Sequence, residues 1–203
     1  MRLLLQLTSS KDCEYDLKYF HKLQGFIYNL LKGTEYSILH DKKGYKFFCF
    51  SNIFPIPKDR IIRRNETKKL LISSPDKLFI KIISEKLQEK IENKEKIYIG
   101  EYEFSVDKIE TFQLKLSRNL KLTSATPIVI RIPQRNYKKY KIPIEFRNKP
   151  YIFWRPNYSF EAFLKQLEEN LIKKYKEFYK TDLQNKEIFE GFKFLKGPIV
   201  NHV

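Results

Sequence analysis

The chain has 203 residues, of which 42% are hydrophobic, and it carries 17 Phe and 13 Tyr. This apolar content argues against disorder, and the length allows one domain or two small ones, each with its own core. The 40 basic residues outnumber the 24 acidic ones and give a formal net charge of +16, which favours a polyanionic partner such as nucleic acid. The alternative explanation of the charge is a Lys-, Ile- and Tyr-rich proteome in which many protein surfaces are basic.

Neither the cysteines nor the apolar runs indicate a secreted or membrane protein. Cys13 and Cys49 form no CxxC motif, and two thiols cannot build a zinc site without His or carboxylate ligands. No apolar run approaches the ~20 residues that a membrane span needs. The opening sequence MRLLLQLTSSKD has only a brief apolar core and no small-residue cleavage site, so it predicts a strand rather than a signal peptide. We therefore expect a reduced, cytoplasmic protein with no membrane partner.

A strand and a helix are predicted at the start of the chain. Residues 2–8 alternate as in a half-buried strand, and the positions on the apolar face are Leu3, Leu5 and Leu7. The helix that follows is expected to have Asp16 as its N-cap and to end at Gly33. Its apolar stripe consists of Leu17, Phe20, Leu23, Ile27 and Leu30.

The next elements complete a recognisable order. An aromatic-rich strand is predicted over 45–51 and an apolar strand over 70–73, joined by a connection that contains Pro and Arg. Ser74 followed by Pro75 favours a helix start, and the apolar positions of this helix are Phe79, Ile82, Ile83, Leu87 and Ile91. Two more strands, over 97–104 and 108–116, give the order strand, helix, strand, strand, helix, strand, with the last strand doubled by a hairpin. This is the ferredoxin-like or RRM-like plan.

A second unit is predicted after the first. It has a strand over 128–132, a basic hairpin-like stretch through Trp154, a long helix capped by Ser159, and a strand over 188–195. The helix carries apolar or aromatic residues in register at Phe160, Phe163, Leu164, Leu167, Leu171, Tyr175 and Phe178. We therefore predict an α+β fold of tandem ferredoxin-like (RRM-like) units, with an N-terminal domain over 1–120 and a C-terminal domain over 121–203 that is incomplete at its C-terminal end.

Three residues near the start offer the groups that RNA cleavage without a metal requires. Tyr28, His40 and Lys46 are a candidate base, acid and cation, and His40 is one of only three histidines. The reaction must deprotonate a 2′-hydroxyl, protonate the 5′-oxygen and stabilise the charge that builds on the phosphate. Each residue also has an ordinary explanation, because a tyrosine beside a core stripe usually packs, a lone histidine is often structural, and basic residues are abundant here.

Two basic stretches are candidates for binding RNA. The first consists of Arg60, Arg63 and Arg64. The second consists of Arg131, Arg135, Lys138, Lys139 and Lys141, interleaved with Tyr137 and Tyr140. Cations bind phosphates and tyrosines can stack on bases, so this mixture suits single-stranded RNA. A solvated hairpin is the alternative interpretation of the second stretch.

The motifs of metal and cofactor enzymes are missing from the sequence. There is no P-loop, dinucleotide fingerprint, HExxH or carboxylate cluster spaced for magnesium. The RRM signature is also missing. Asp41 and Asp59 are isolated in the sequence. We therefore expect neither a metal nor a cofactor.

Four segments resemble a known family. The opening strand MRLLLQL, the helix segment LQGFIYN, the stretch LHDKKGYKFFCFS and the strand TPIVIRI are similar to those of archaeal CRISPR repeat-RNA endoribonucleases of the Cas-six type, in the RAMP superfamily. The match in motifs covers roughly the first 50 residues, and the order of strands and helices carries the rest. In that family a tyrosine of the first helix, a histidine after it and a lysine that begins the next strand form the catalytic site. Carried over by position, these are Tyr28, His40 and Lys46.

The resemblance implies a metal-independent endoribonuclease that cleaves CRISPR repeat RNA, the precursor of crRNA. Attack by the 2′-hydroxyl would give a 2′,3′-cyclic phosphate and a 5′-hydroxyl, with Tyr28 helping to activate the nucleophile, His40 protonating the leaving oxygen and Lys46 stabilising the phosphate. The family also carries a glycine-rich loop, GxGxxxxxGFG, which is absent from this sequence with its six glycines.

The missing loop keeps other interpretations open. One is a non-cleaving module that captures repeat RNA and delivers it to a CRISPR effector complex. Another is a ferredoxin-like subunit of a larger ribonucleoprotein. Dimerisation that covers an open sheet edge is a further expectation.

Overall fold

A computed structural model describes residues 1–16, 18–115, 128–156, 158–184, 187–189 and 192. The Cα atoms group into two units, residues 1–126 and 127–203. The helices are α1 (Phe20–Leu30), α2 (Lys77–Glu92) and α3 (Phe160–Tyr179). The strands are β1 (Arg2–Ser9), β2 (Cys13–Glu14), β3 (Cys49–Phe50), β4 (Ile61–Ile62), β5 (Thr67–Ser73), β6 (Ile97–Ile99), β7 (Tyr102–Phe112), β8 (Arg131–Pro133) and β9 (Tyr151–Phe153). In these ranges no helix is both long and apolar enough to cross a membrane.

The core of the first unit lies on one face of a five-stranded sheet in the order β3-β5-β1-β7-β6. The central strand β1 pairs antiparallel with β5 and with β7. Its leucines Leu3, Leu5 and Leu7 are fully buried, as the alternation predicts, and share a core with residues of α1 and α2. Burying a leucine side chain stabilises the fold by about 1.5–3 kcal/mol. The mixed α and β composition predicted from the sequence is confirmed.

Helix α1 begins later than the sequence predicts. Its N-terminal flanking residue is Tyr19, and the predicted cap Asp16 instead accepts a hydrogen bond from the backbone N–H of Lys18 in the turn before the helix. Because of this late start, Phe20 opens the helix and is exposed. The predicted position Leu17 lies outside the described residues.

The rest of the predicted α1 stripe agrees with the structure, but the helix ends at Leu30, before the predicted stop at Gly33. Leu23, Ile27 and Leu30 are all buried. Beyond the helix the chain turns through Gly33, whose φ of 74° lies in the left-handed region that glycine adopts without steric cost.

The predicted strand over 45–51 is confirmed only at Cys49–Phe50, which pair with β5. Phe47 has a φ of 51°, a left-handed conformation that cannot continue an extended strand. Lys46 therefore lies in an irregular segment before β3.

Helix α2 is capped by Asp76 rather than begun at Ser74–Pro75. The Asp76 Oδ1 accepts hydrogen bonds from the N–H groups of Leu78 and Phe79 at 3.0 and 3.3 Å, as a good N-cap does. In the predicted apolar stripe, Ile82 and Ile91 are only partly buried, whereas the fully buried positions are Phe79, Ile83 and Leu87.

The turn between the last two strands of the sheet also differs from the prediction. Strand β6 ends at Ile99 and β7 runs unbroken from Tyr102 to Phe112, so the break lies at Gly100 and Glu101. Gly100 has a φ of 63°, a conformation that suits glycine in a two-residue hairpin turn. Glycine at this position was the available signal for the turn.

The second unit is built around the antiparallel pair β8–β9 and helix α3. Ile132 and Ile152 face each other across the pair and are buried. Ser159 caps α3 as predicted, with its Oγ accepting from the N–H of Ala162 at 3.2 Å. The buried residues of α3 are Ala162 and Gln166, so the predicted apolar positions are at most partly buried.

Two predicted strands of the second unit need correction. The strand expected over 128–132 begins only at Arg131. In the strand expected over 188–195, Ile188 and Phe189 lie in a turn, Phe192 is in no regular element, and the other positions fall outside the described residues.

Candidate active site

The structure brings Tyr28, His40 and Lys46 together. The Lys46 ammonium donates to the Tyr28 hydroxyl at 2.7 Å and to the backbone carbonyl of His40 at 3.0 Å. The rings of Tyr28 and His40 meet edge to face, with centroids 5.3 Å apart and an angle of 76°. Residues 18 positions apart along the chain thus contact one another directly.

The backbone that carries His40 is anchored on both sides of a short 3₁₀ helix, Glu35–Leu39. At its start, Thr34 accepts from the N–H of Tyr36 at 3.2 Å. The Tyr36 hydroxyl in turn donates to Asp76 at 2.6 Å, and burial together with this carboxylate raises the pKa of Tyr36. At its end, Leu39 is buried in the core of the first unit. His40 follows directly, so the backbone at this position is fixed although its side chain is exposed.

The Tyr28 hydroxyl receives a second hydrogen bond that the sequence did not single out. Gln24 lies one helical turn earlier on α1, and its Nε2 donates to the Tyr28 oxygen at 2.8 Å. With Lys46, two N–H donors therefore converge on one phenol oxygen, whose own hydrogen is directed elsewhere. Such donors stabilise negative charge on the oxygen. The signal for Gln24 was its spacing of four residues from Tyr28 on a helix.

His40 has a carboxylate partner. Its Nδ1 lies 2.6 Å from Asp41 Oδ1, and an ionised carboxylate can only accept, so Nδ1 carries the hydrogen. The other ring nitrogen, Nε2, is then the one that can exchange a proton with a substrate. The His40 side chain is 69% exposed, which leaves Nε2 accessible. Asp41 is isolated in the sequence but not in the structure, and its adjacency to His40 was the available signal.

Aromatic side chains connect the site to the core of the first unit. Phe48 packs edge to face against Tyr28 at 6.1 Å and stacks on Phe79 of α2 at 5.1 Å. The Lys46 ammonium also lies 5.0 Å from the centre of the Tyr28 ring. Of its three hydrogens, two serve the Tyr28 oxygen and the His40 carbonyl within the described residues. The third can reach an anionic oxygen of a ligand.

This cluster combines a phenol, an imidazole and an ammonium at a partly exposed surface. Those groups can exchange protons and stabilise a developing anion. In the part of the chain that the structure describes, no three His, Cys, Asp or Glu side chains are grouped so that they could hold a metal ion.

The predicted cations of the first unit lie on the connection before β5 and are exposed. Arg60 has a φ of 58°, and Arg63 forms an ion pair with Asp59. Arg64 donates its backbone N–H to Asp12 at 2.6 Å, and the residue is exposed. Their role in RNA binding stays a prediction.

The predicted cations of the second unit are exposed, and two of them have partners. The Arg131 guanidinium lies 4.8 Å above the ring of Tyr151, and Lys139 forms an ion pair with Glu169 at 2.5 Å. The other predicted cations at the surface are Arg135, Lys138 and Lys141. Their role in RNA binding likewise stays a prediction.

The interpretation of Tyr137 and Tyr140 as base-stacking residues is wrong. They are only 2% and 7% exposed and belong to the core of the second unit. Their hydroxyls donate to the Lys149 carbonyl at 3.0 Å and to Glu169 at 3.2 Å. A tyrosine suits a core when its hydroxyl reaches a partner, and the sequence pattern cannot separate this use from base stacking.

Comparison with known proteins agrees with the resemblance seen in the sequence. No protein-family profile matches the chain. The CRISPR-associated endoribonuclease Cas6 2 of Methanocaldococcus jannaschii is 36% identical over 194 residues, which cover 96% of this chain and 70% of the relative. The CRISPR-associated endoribonuclease Cas6 of Haloferax mediterranei is 30% identical over 206 residues, which cover 97% and 72%. A solved structure described as CRISPR associated protein Cas6 superposes with a TM-score of 0.65 at 26% identity, covering 91% of this chain and 73% of that one. The chain therefore belongs to the Cas6 family of CRISPR-associated endoribonucleases.

Proposed function

We propose that the chain cleaves CRISPR repeat RNA without a metal ion, by attack of a 2′-hydroxyl on the adjacent phosphate. The observation that carries the proposal is the convergence of Tyr28, His40 and Lys46, three groups of complementary chemistry, in one cluster. Two relatives with the name endoribonuclease support cleavage as the reaction class.

Each group of the cluster has a role in the proposed reaction. Tyr28 acts in its phenolate form, which the donors Gln24 and Lys46 stabilise, and it becomes a neutral phenol when it takes the proton of the 2′-hydroxyl. The bond from the 2′-oxygen to phosphorus forms while the bond to the 5′-oxygen breaks, and His40 Nε2 gives its proton to that leaving oxygen. The remaining Lys46 hydrogen stabilises a non-bridging phosphate oxygen. The products are a 2′,3′-cyclic phosphate and a 5′-hydroxyl.

The sheet order is consistent with a ferredoxin-like first domain. In chain order β1, α1, β3, β5, α2 and β7 follow the βαββαβ plan, and their strands lie in the order β3-β5-β1-β7, with β6 added at the edge. We propose that the second unit belongs to a second, related domain.

The exposed cations of both basic stretches are proposed to bind RNA phosphates. Arg63 and Lys139 form ion pairs with Asp59 and Glu169, respectively. We therefore expect them to contribute less to RNA binding than the cations that form no such ion pair with the described residues. For single-stranded RNA, each phosphate contact adds about 0.7 to the slope of log affinity against log salt.

The second candidate function is a module that captures repeat RNA without cutting it. It is favoured by the exposed cations of both basic stretches, which can bind RNA phosphates whether or not the chain cuts the RNA. In this case the cluster around Tyr28 would not cleave, and the chain would deliver RNA to an effector complex.

The test is cleavage of end-labelled repeat RNA from the source organism in excess EDTA. A matched substrate carries a single 2′-deoxy nucleotide just upstream of the cut, and a His40→Ala variant is run in parallel. We expect one discrete cut that is lost on the deoxy substrate and with His40→Ala, while RNA affinity changes by no more than a few-fold. Binding without a product would favour the capture module, and undiminished cutting by His40→Ala would refute the role of His40.

A further inference from the structure

The second unit presents an aromatic surface on the outer face of the β8–β9 pair. Side chains alternate along a strand, so burial of Ile152 in the core directs its neighbours Tyr151 and Phe153 to the other face. These two aromatic residues are 41% and 51% exposed. Their rings meet edge to face at 5.7 Å.

The same aromatic residues border an open pocket of about 660 Å³. A second edge-to-face pair lines it, formed by Phe146 and Tyr158 with ring centroids 6.2 Å apart. Four aromatic side chains therefore line the pocket, although Tyr158 is only 8% exposed and belongs to the core of the second unit, and the volume is in the range of small-ligand sites. We call Phe146, Tyr151, Phe153 and Tyr158 the aromatic pocket.

The charge around the aromatic pocket has one sign. Lys149 and Arg155 also line it, both are exposed, and the described residues of the lining include no carboxylate. Arg131 is opposite Phe153 in the strand register and holds its guanidinium over Tyr151. An aromatic surface bordered by cations is complementary to an unpaired stretch of nucleic acid, because bases stack on the rings and phosphates meet the cations.

We propose that the aromatic pocket binds unpaired nucleobases of single-stranded RNA, as a binding site separate from the cluster around Tyr28. The proposal rests on the proposed function in that it takes RNA as the ligand, but it does not require the chain to cut RNA. Tyr151 and Phe153 stack on bases, and Lys149 and Arg155 contact the adjoining phosphates. The described residues that line the pocket all belong to the second unit, and none of them is a proposed catalytic residue.

The test compares RNA affinity of the full chain and of variants by fluorescence anisotropy with an unstructured, labelled repeat-derived RNA. Tyr151→Leu and Phe153→Leu keep an apolar side chain but remove the ring. We expect each to weaken binding by about 5- to 140-fold, the change that corresponds to ~1–3 kcal/mol of stacking for each base. Tyr98→Leu is the matched control, because Tyr98 is an exposed aromatic on strand β6 of the first unit.

A second arm tests the cations and the position of the RNA. Lys149→Gln and Arg155→Gln are each expected to lower the salt slope of binding by about 0.7. RNA carrying 5-bromouridine is expected to crosslink to Tyr151 or Phe153 on irradiation. Circular dichroism shows whether each variant is folded, and a variant that fails this control is replaced by Tyr151→His or Phe153→His, which keep a ring and are expected to restore binding.

Three outcomes would overturn the proposal: unchanged affinity for both folded leucine variants, the same loss in the Tyr98 control, or a loss of self-association in light scattering without a loss of RNA affinity. The last outcome would assign the face to a second copy of the chain. The experiment separates this proposal from the proposed function. If the wild-type chain binds RNA through the pocket but makes no product, the pocket proposal stands and the proposed cleavage is refuted. If the chain cleaves RNA and the pocket variants bind it with unchanged affinity, the cleavage stands and the pocket proposal is refuted.

Discussion

Changing Gln24 tests whether the hydrogen bonds on the Tyr28 oxygen matter to cleavage. Gln24→Leu removes the 2.8 Å hydrogen bond from an uncharged donor and leaves the bond from Lys46. An uncharged hydrogen bond contributes about 0.5–1.5 kcal/mol, so the cleavage rate should fall by ~2- to 13-fold. Lys46→Met removes a charged donor, which contributes about 1.5–3 kcal/mol, so it should cost ~13- to 160-fold or more.

Gln24→Glu gives the sharper comparison, because it has nearly the same shape and exchanges a donor for an acceptor. The Tyr28 hydrogen would turn toward the new carboxylate, whose charge also opposes an approaching phosphate. We therefore expect a larger loss of rate than with Gln24→Leu. The matched control is Gln88→Glu on the exposed side of α2, which makes the same change in net charge away from the site.

The assay is single-turnover cleavage at saturating protein, with RNA affinity measured separately. The expected order of rates is wild type and Gln88→Glu, then Gln24→Leu, then Gln24→Glu. If Gln24→Leu and Gln24→Glu both cut at the wild-type rate, the donors on the Tyr28 oxygen have no part in catalysis. A loss confined to RNA affinity would place Gln24 in binding instead.

Three further predictions concern the imidazole, the core and the pH dependence of stability. Asp41→Asn should reduce the cleavage rate by only a few-fold, because the His40 contact is exposed, and a loss as large as that of His40→Ala would make Asp41 a direct participant. Leu5→Ala should lower the free energy of unfolding in urea by about 2–5 kcal/mol, since Leu5 is fully buried, and a loss within 0.5 kcal/mol, as is usual for surface changes, would contradict its place in the core. Burial raises the pKa of Glu169, but the hydrogen bond and charge of Lys139 outweigh burial, so the pKa is lowered. This stabilisation is complete above the ordinary carboxyl pKa of about 4.3 and is lost as the pH falls through the lowered value, so Glu169→Gln should flatten acid unfolding between those pH values.

The periodic pattern of apolar residues correctly predicted those parts of the fold in which the burial of each residue follows from its position in one strand or helix. The alternation in β1 placed Leu3, Leu5 and Leu7 correctly because a strand in one sheet buries every second residue. The strand over 45–51 failed because the backbone turn at Phe47 depends on a distant residue, Ser74, whose hydroxyl donates to the Phe47 carbonyl at 2.7 Å. No window of sequence around Phe47 contains that contact.

The candidate site was predicted through the resemblance rather than through spacing. Tyr28, His40 and Lys46 have no periodic relation, and their contacts arise only when α1, the 3₁₀ helix and the irregular segment before β3 fold together. Gln24 and Asp41 were within reach of local reasoning, since one is a helical turn from Tyr28 and the other is adjacent to His40. What local reasoning could not give is the direction of each side chain.

The start of α2 explains how two separate segments of the site are held against each other. Ser74 donates to the Phe47 carbonyl, which fixes the irregular segment that carries Lys46. Two residues later, Asp76 caps α2 with Oδ1 and accepts the Tyr36 hydroxyl with Oδ2, which fixes the 3₁₀ helix before His40. Helix α2 is itself anchored in the core through buried residues such as Phe79. Both segments are therefore attached to the same rigid helix. The sequence Ser-Pro-Asp, which predicts only a helix start, thus sets the distance between the lysine and the histidine segments of the proposed active site.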